Sequence, residues 1–146
     1  MEDYRMKKGI LLSSLALLFT ILVTGCSCSK DGTYAFAHIE YAENGENVTS
    51  DCSSPLGEHE IQFCTAVKTL KFNEISFVLE DKKITINMAG QEGVTADYKI
   101  KDGEILLRES EEDEYVNIFS AFNMKLLYED KTIKIHSDFY TIVFAK

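Results

Sequence analysis

The 146-residue sequence predicts a mainly β protein. The expected form is an antiparallel up-and-down meander of about eight short strands closed into a small barrel, with a short helix between strands 1 and 2. Three observations predict it. Apolar and polar residues alternate along most of the chain after residue 31, and a period of two marks strands with one buried face. The stretches between the alternating runs carry tight-turn chemistry. The runs also follow one another closely enough to pair in sequence order, which leaves two bare edges unless the sheet closes on itself.

Taken in order, the first strand places Tyr34, Phe36 and His38 on one face. Residues 42–70 interrupt the alternation. Ser54-Pro55 has the form of a helix start, with Ser as N-cap and Pro at the first helical position. Ile61, Cys64 and Val67 follow at helical spacing, although Gly57 and the β-branched residues keep a strand within 60–68 open as the alternative. Alternation resumes with Ile75, Phe77 and Leu79, then with Ile84, Ile86 and Met88, then with Val94, Ala96, Tyr98 and Ile100. Asp102-Gly103 signals a two-residue hairpin, because both central positions of a type I′ turn need positive φ. Ile105 and Leu107 leave that turn.

Residues 109–121 begin with the acidic run Glu109-Ser110-Glu111-Glu112-Asp113-Glu114, which its charge keeps solvated. The apolar stretch Tyr115–Phe119 behind it must pack somewhere. Phe122, Met124, Leu126 and Tyr128 form the next inward face. Ile133 and Ile135 follow, with His136 outward, and Tyr140, Ile142 and Phe144 complete the series. The segments Glu80–Ile86 and Glu129–Ile135 are near copies, each shaped like a hairpin tip that leads into a strand. They reflect either a duplicated hairpin or the small vocabulary of turns.

Ahead of this domain, Arg5, Lys7 and Lys8 precede an apolar run from Ile10 to Val23. A basic start and an apolar run of this length fit a signal peptide and fall short of a spanning helix, which needs about 18 residues or more. Met6-Lys7-Lys8 is the more typical bacterial start. The run ends in Val23-Thr24-Gly25-Cys26, which resembles the lipobox of bacterial lipoproteins. The resemblance implies cleavage between Gly25 and Cys26 and a diacylglyceryl group on the Cys26 sulfur. It also implies a further acyl chain, such as palmitate, on the new amine. Two or three chains, each CH₂ worth about 0.8 kcal/mol when buried, anchor a protein stably. The expected layout is a signal peptide over 1–25, a lipidated tether over 26–31 and the barrel over 32–146. The expected location is the extracytoplasmic face of the cell membrane.

A second resemblance begins at Gly32-Thr33-Tyr34. A Gly-x-Trp on the first strand of a meander barrel is the lipocalin pattern, and here Tyr34 stands at the Trp position. Together with the aromatic ending Tyr140–Lys146, it is similar to the two ends of small lipocalin-like bacterial lipoproteins. Lipocalins place an Arg of the last strand over that Trp, whereas this chain has no Arg after Arg108. The long connection over 42–70 is also similar to fatty-acid-binding barrels, which place helices after their first strand. Both families enclose apolar ligands, and the resemblance implies that role here.

From Cys26 onward 22 acidic and 12 basic residues remain, a net charge near −10. A domain this acidic lacks the clustered Lys and Arg that nucleic-acid phosphates require. It is also repelled by anionic headgroups, so the lipid is the expected membrane attachment. Cys28, Cys52 and Cys64 are the remaining cysteines. In an exported protein disulfides persist, and Cys52 with Cys64 is the favoured pair. Cys28 is then the odd thiol.

An eight-stranded barrel encloses room for side chains or one small ligand. Tyr34, Phe36, His38, Phe77, Tyr98, Phe122 and Tyr128 are the candidates to line such a pocket, and the competing reading is that they fill a core. His38, His59 and His136 have no spacing that unites them as metal ligands. The acidic run lacks the alternating ligands and Gly turn of an EF-hand loop. No Gly-x-Ser-x-Gly, His-Glu-x-x-His, phosphate loop or Gly-rich dinucleotide turn is present. The sequence therefore points to a non-catalytic lipoprotein without a cofactor, binding a small apolar ligand or an envelope partner. The alternative is a structural or protective surface lipoprotein with a filled barrel and no ligand.

Overall fold

Residues 29–146 are described by a computed structural model. Gly25, Cys26, Cys28 and the whole of the expected signal peptide over 1–25 lie outside the described residues. Among the described residues nine strands form one antiparallel sheet in the order β2-β1-β3-β4-β5-β6-β7-β8-β9, and β1 also pairs with β9. The strands are β1 Gly32–Glu43, β2 Glu46–Ser50, β3 Ile75–Glu80, β4 Lys83–Met88 and β5 Val94–Lys101, followed by β6 Glu104–Arg108, β7 Lys125–Glu129, β8 Thr132–His136 and β9 Tyr140–Ala145. Eight of them close the barrel and β2 is an added hairpin strand on the far half of β1. The helix α1, Glu58–Thr69, follows β2 and precedes β3.

The expected barrel is present, with two corrections near its start. The sequence predicts the helix directly after the first strand, whereas β2 lies between them. Asn44-Gly45, with φ of 53° and 81°, makes a tight turn that sends the chain back along β1. The helix also starts later than Ser54-Pro55. Gly57 is its N-cap, and the Glu60 carboxylate accepts from Gly57 N at 3.4 Å, besides Leu56 N at 3.1 Å and Ser50 Oγ at 2.6 Å. That is half of a capping box, since glycine offers no side-chain acceptor. Cys64 and Val67 face the core, while Ile61 is exposed. A disulfide joins Cys52 to Cys64.

The near-copy segments both form hairpins with two-residue turns, Glu80 pairing with Lys83 and Glu129 with Thr132. Asp102-Gly103 turns as expected, with φ of 52° and 80°. The barrel interior is packed with large apolar side chains. Tyr34, Phe77, Ile84, Ile105, Leu126 and Phe144 are all completely buried, and Phe77 meets Phe144 edge-on at 4.9 Å. Closure is thinnest between β6 and β7, which share the single register pair Glu104 with Leu127.

The meander divides the molecule into two poles. The start of β1 lies with the β3–β4, β5–β6 and β7–β8 turns and with Lys146, whose Nζ donates to Ser29 O at 2.8 Å. We call this end the tether pole, after the tether expected over 26–31. The helix and the connections 44–45, 88–94, 108–125 and 136–140 lie at the distal pole. Among the described residues no helix is long and apolar enough to cross a membrane.

Candidate functional site

The expected inward residues separate into three groups. Tyr34 and Phe77 are fully buried members of the core, with Phe36, Tyr98 and Tyr128 partly buried against it. The Tyr34 ring meets that of Tyr128 edge-on at 6.3 Å, and its hydroxyl donates to Lys30 O at 2.5 Å. Lys146 Nζ sits 5.3 Å from the Tyr34 ring centroid. A lysine cation therefore lies close to the first-strand aromatic.

His38 is on the other face, contrary to expectation. A bulge between Phe36 and His38 adds one residue to β1, so Ile39 and Tyr41 take the inward positions. His38 instead lies 3.2 Å from Glu40 Oε1 on the outer surface. Phe122 is also not inward. It ends the 3₁₀ turn Ser120–Phe122, Asn123 turns left-handed at φ 54°, and β7 begins only at Lys125. Phe122 is 57% exposed.

The three histidines stay apart. His59 approaches Glu43 at 3.6 Å, and His136 Nδ1 is 2.8 Å from Thr141 Oγ1. Among the described residues no group of three metal-ligating side chains comes together.

The open apolar site is at the distal pole, outside the filled interior. A pocket of about 430 Å³ is walled by Ile86, Val94, Ala96, Leu107, Val116 and Ile118, with Arg108, Glu109, Asp113 and Glu114 along its edge. A second pocket of about 320 Å³, formed by Leu70, Phe72, Ile75, Met88, Phe119 and Phe122, shares Ile86 and Ile118 with the first. The two make one continuous trough. Of the residues expected to line a ligand site, Phe122 alone touches it.

Local structure explains how the trough stays open. Tyr115–Phe119 packs only in part: Val116 bridges to Leu107 across the gap beside β6, and Phe119 goes into the core. Asn117 holds the bend, donating from Nδ2 to Met124 O at 2.9 Å and accepting from Phe119 N at 2.9 Å. That leaves Val116 52% and Ile118 41% exposed. Val94, at the first position of β5, is 65% exposed. Gly93 precedes it, and a Cβ there would meet Asn87 Oδ1 at 2.2 Å, so any larger residue would have to push the Asn87 amide aside.

The acidic segment is pinned beside the trough. Asp113 accepts from Ser110 N at 3.0 Å and from Ser110 Oγ at 2.8 Å. Arg108 donates to Glu111 O at 3.2 Å and to Asp97 at 3.3 Å. The Arg108 guanidinium and the Lys99 ammonium lie over the Tyr115 ring at 4.6 Å and 4.5 Å. Hydrogen bonding and charge from Lys83, reinforced by Arg108, hold the Asp97 carboxyl below its usual value. Ile75, Ile86, Met88, Val94, Ala96, Leu107 and Phe122 were visible in the sequence as ordinary alternating apolar positions, and Val116, Ile118 and Phe119 as an apolar stretch. Their exposure was not, because it depends on how far the 109–124 connection packs. Compared with known proteins, the chain matches no family, no curated protein and no solved structure.

Proposed function

We propose that this protein is a lipid-anchored binding module of the bacterial envelope, attached through Cys26 at the extracytoplasmic face of the membrane. Its partner docks in the distal trough, not inside the barrel. The observation that carries this reading is the combination of a filled interior with an open apolar trough. The pocket of about 430 Å³ falls within the usual size of binding sites, about 300–1,000 Å³. Among the described residues, all eight exposed large hydrophobic residues belong to the distal pole, and five of them ring this trough. Scattered exposed apolar residues are ordinary, but a cluster on one end marks an interaction surface.

The filled interior weighs against a ligand enclosed by the expected aromatics. It also favours a docking partner over a purely protective shell, since a shell has no use for an apolar end. An uncharged solvatochromic dye tests the site. Its emission should shift to the blue with the parent chain and lose that shift in a Val116→Asn/Ile118→Asn variant of unchanged melting temperature. An equal shift in both would sink the proposal. A clickable fatty acid tests the anchor: label and membrane association are both expected to vanish in Cys26→Ser.

A further inference from the structure

We infer that the distal trough receives a basic amphipathic helix of a peptide or protein partner, whose apolar face lies on Val94, Val116, Ile118 and Phe122 and whose Lys or Arg side chains face the acidic rim. The inference rests on the reading of the trough as the binding site. Three observations select this occupant.

The first is extent. Two apolar pockets adjoin through Ile86 and Ile118, so together they offer room for more than one side chain. Adjoining apolar pockets suit several side chains of one helix face, the i, i+3, i+4, i+7 pattern of helix-in-groove recognition.

The second is charge. The three connections that border the trough, 70–75, 88–94 and 109–124, carry Glu74, Glu92 and the five carboxylates of the 109–114 run against one lysine, Lys71. Among the described residues none of these carboxylates forms an ion pair. Asp113 is occupied by Ser110, but Glu109, Glu111, Glu112 and Glu114 are free and exposed. The nearest guanidinium, Arg108, is already held by Asp97 and by the Glu111 carbonyl. A partner with several cations can satisfy several of these carboxylates together, whereas an anionic amphiphile meets repulsion.

The third is asymmetry. The tether-pole ends and turns carry Lys30, Lys82, Lys83, Lys101, Lys131 and Lys146 against seven carboxylates, so almost none of the net charge near −10 resides there. The negative field is concentrated at the end that presents the trough, and a cationic partner is steered toward it.

The test uses the full chain in phosphatidylcholine nanodiscs, with empty nanodiscs as the blank. The probe is a synthetic Lys/Leu amphipathic peptide containing one tryptophan. The protein has no tryptophan, so the emission reports the peptide alone. Binding should move that emission to the blue and saturate. A Glu109→Gln/Glu112→Gln/Glu114→Gln variant should bind about tenfold more weakly at low salt. That difference should close near 1 M salt, where the screening length is about 3 Å. Phe139→Ser, an exposed apolar position away from the trough, should leave binding unchanged.

If the triple variant binds as tightly as the parent, or a Glu/Leu peptide of the same pattern binds equally well, the basic partner is overturned. The trough itself then still stands on the uncharged dye. If neither the peptide nor the dye binds, the binding-module reading falls and this inference falls with it.

Discussion

Tyr34 answers two opposed demands with one side chain. Its ring is completely buried against Phe77 and Tyr128, while its hydroxyl reaches Lys30 O. Tyr34→Phe keeps the packing and removes one hydrogen bond, so a loss of about 1 kcal/mol in denaturant unfolding is expected. Tyr34→Ala also opens a cavity and should cost about 3–5 kcal/mol. Burial, aided by Tyr128, pushes the Tyr34 hydroxyl well above its ordinary 10.0, and burial raises Tyr41, Tyr98 and Tyr140 as well. A phenol that ionises at higher pH in the folded chain than in the unfolded one contributes stability that is intact below its unfolded value. That contribution is lost as pH rises through it. Stability should therefore be level from about pH 8 to 9 and fall above about pH 10, less steeply in Tyr34→Phe. Asp97 has the opposite sign. Its carboxyl is lowered from 3.8 by Lys83 and then by Arg108, so its contribution is present above that value and disappears as pH falls. Asp97→Asn should lose less stability on acidification than the parent. Tyr34 was legible because Gly32-Thr33-Tyr34 opens a clear alternation. His38 was misread because the apolar set changes parity from 34 and 36 to 39 and 41, and only a bulge can produce that.

At the scale of elements, the Cys52–Cys64 disulfide, which spans 12 residues of sequence, ties the helix to the connection that follows β2. Lys68 Nζ adds a bond to Cys52 O at 2.9 Å, and Phe63 sits between Tyr41 and Tyr140 at 5.3 Å and 5.1 Å. In the chain-entropy picture a loop of this length contributes about 3 kcal/mol. Reduction, or Cys52→Ala with Cys64→Ala, should lower unfolding free energy by about that amount and leave the strands intact by circular dichroism. The β6–β7 seam, with its single register pair, should be the first strand pair to open. Hydrogen exchange should find its amides the least protected of the barrel; equal protection across all eight strand pairs would refute that. The strands themselves were legible because alternation and turn chemistry agree at each hairpin. β2 was missed although Asn44-Gly45 is as strong a hairpin signal as Asp102-Gly103, because its five residues carry only Val48 as a large apolar side chain. The helix start was misplaced because Ser54-Pro55 matches the local preference, while Glu60 reaching Ser50 across the fold selects Gly57.

The whole molecule has a membrane end and a working end, on the proposed reading. The first strand begins at the tether pole, six residues after Cys26, so the β3–β4, β5–β6 and β7–β8 turns should rest near the bilayer. A fluorophore on Asp130→Cys, in a Cys28→Ser background, should be quenched by a quencher attached to lipid headgroups. The same label on Phe122→Cys should not be; comparable quenching at both positions would refute this orientation. The amino-acid sequence by itself determined the strand periods, most turn positions and the pairing in order. These depend on interactions between residues a few places apart, which local pattern records directly. Tertiary structure alone decided that the interior is filled, that β1 carries a bulge, and that Val94, Val116, Ile118 and Phe122 surround an open trough. Those outcomes depend on how distant segments share volume: an apolar side chain in an alternating run is equally suited to a core or to a rim, and only the packing of the 109–124 connection against β4, β5 and β6 selects between them.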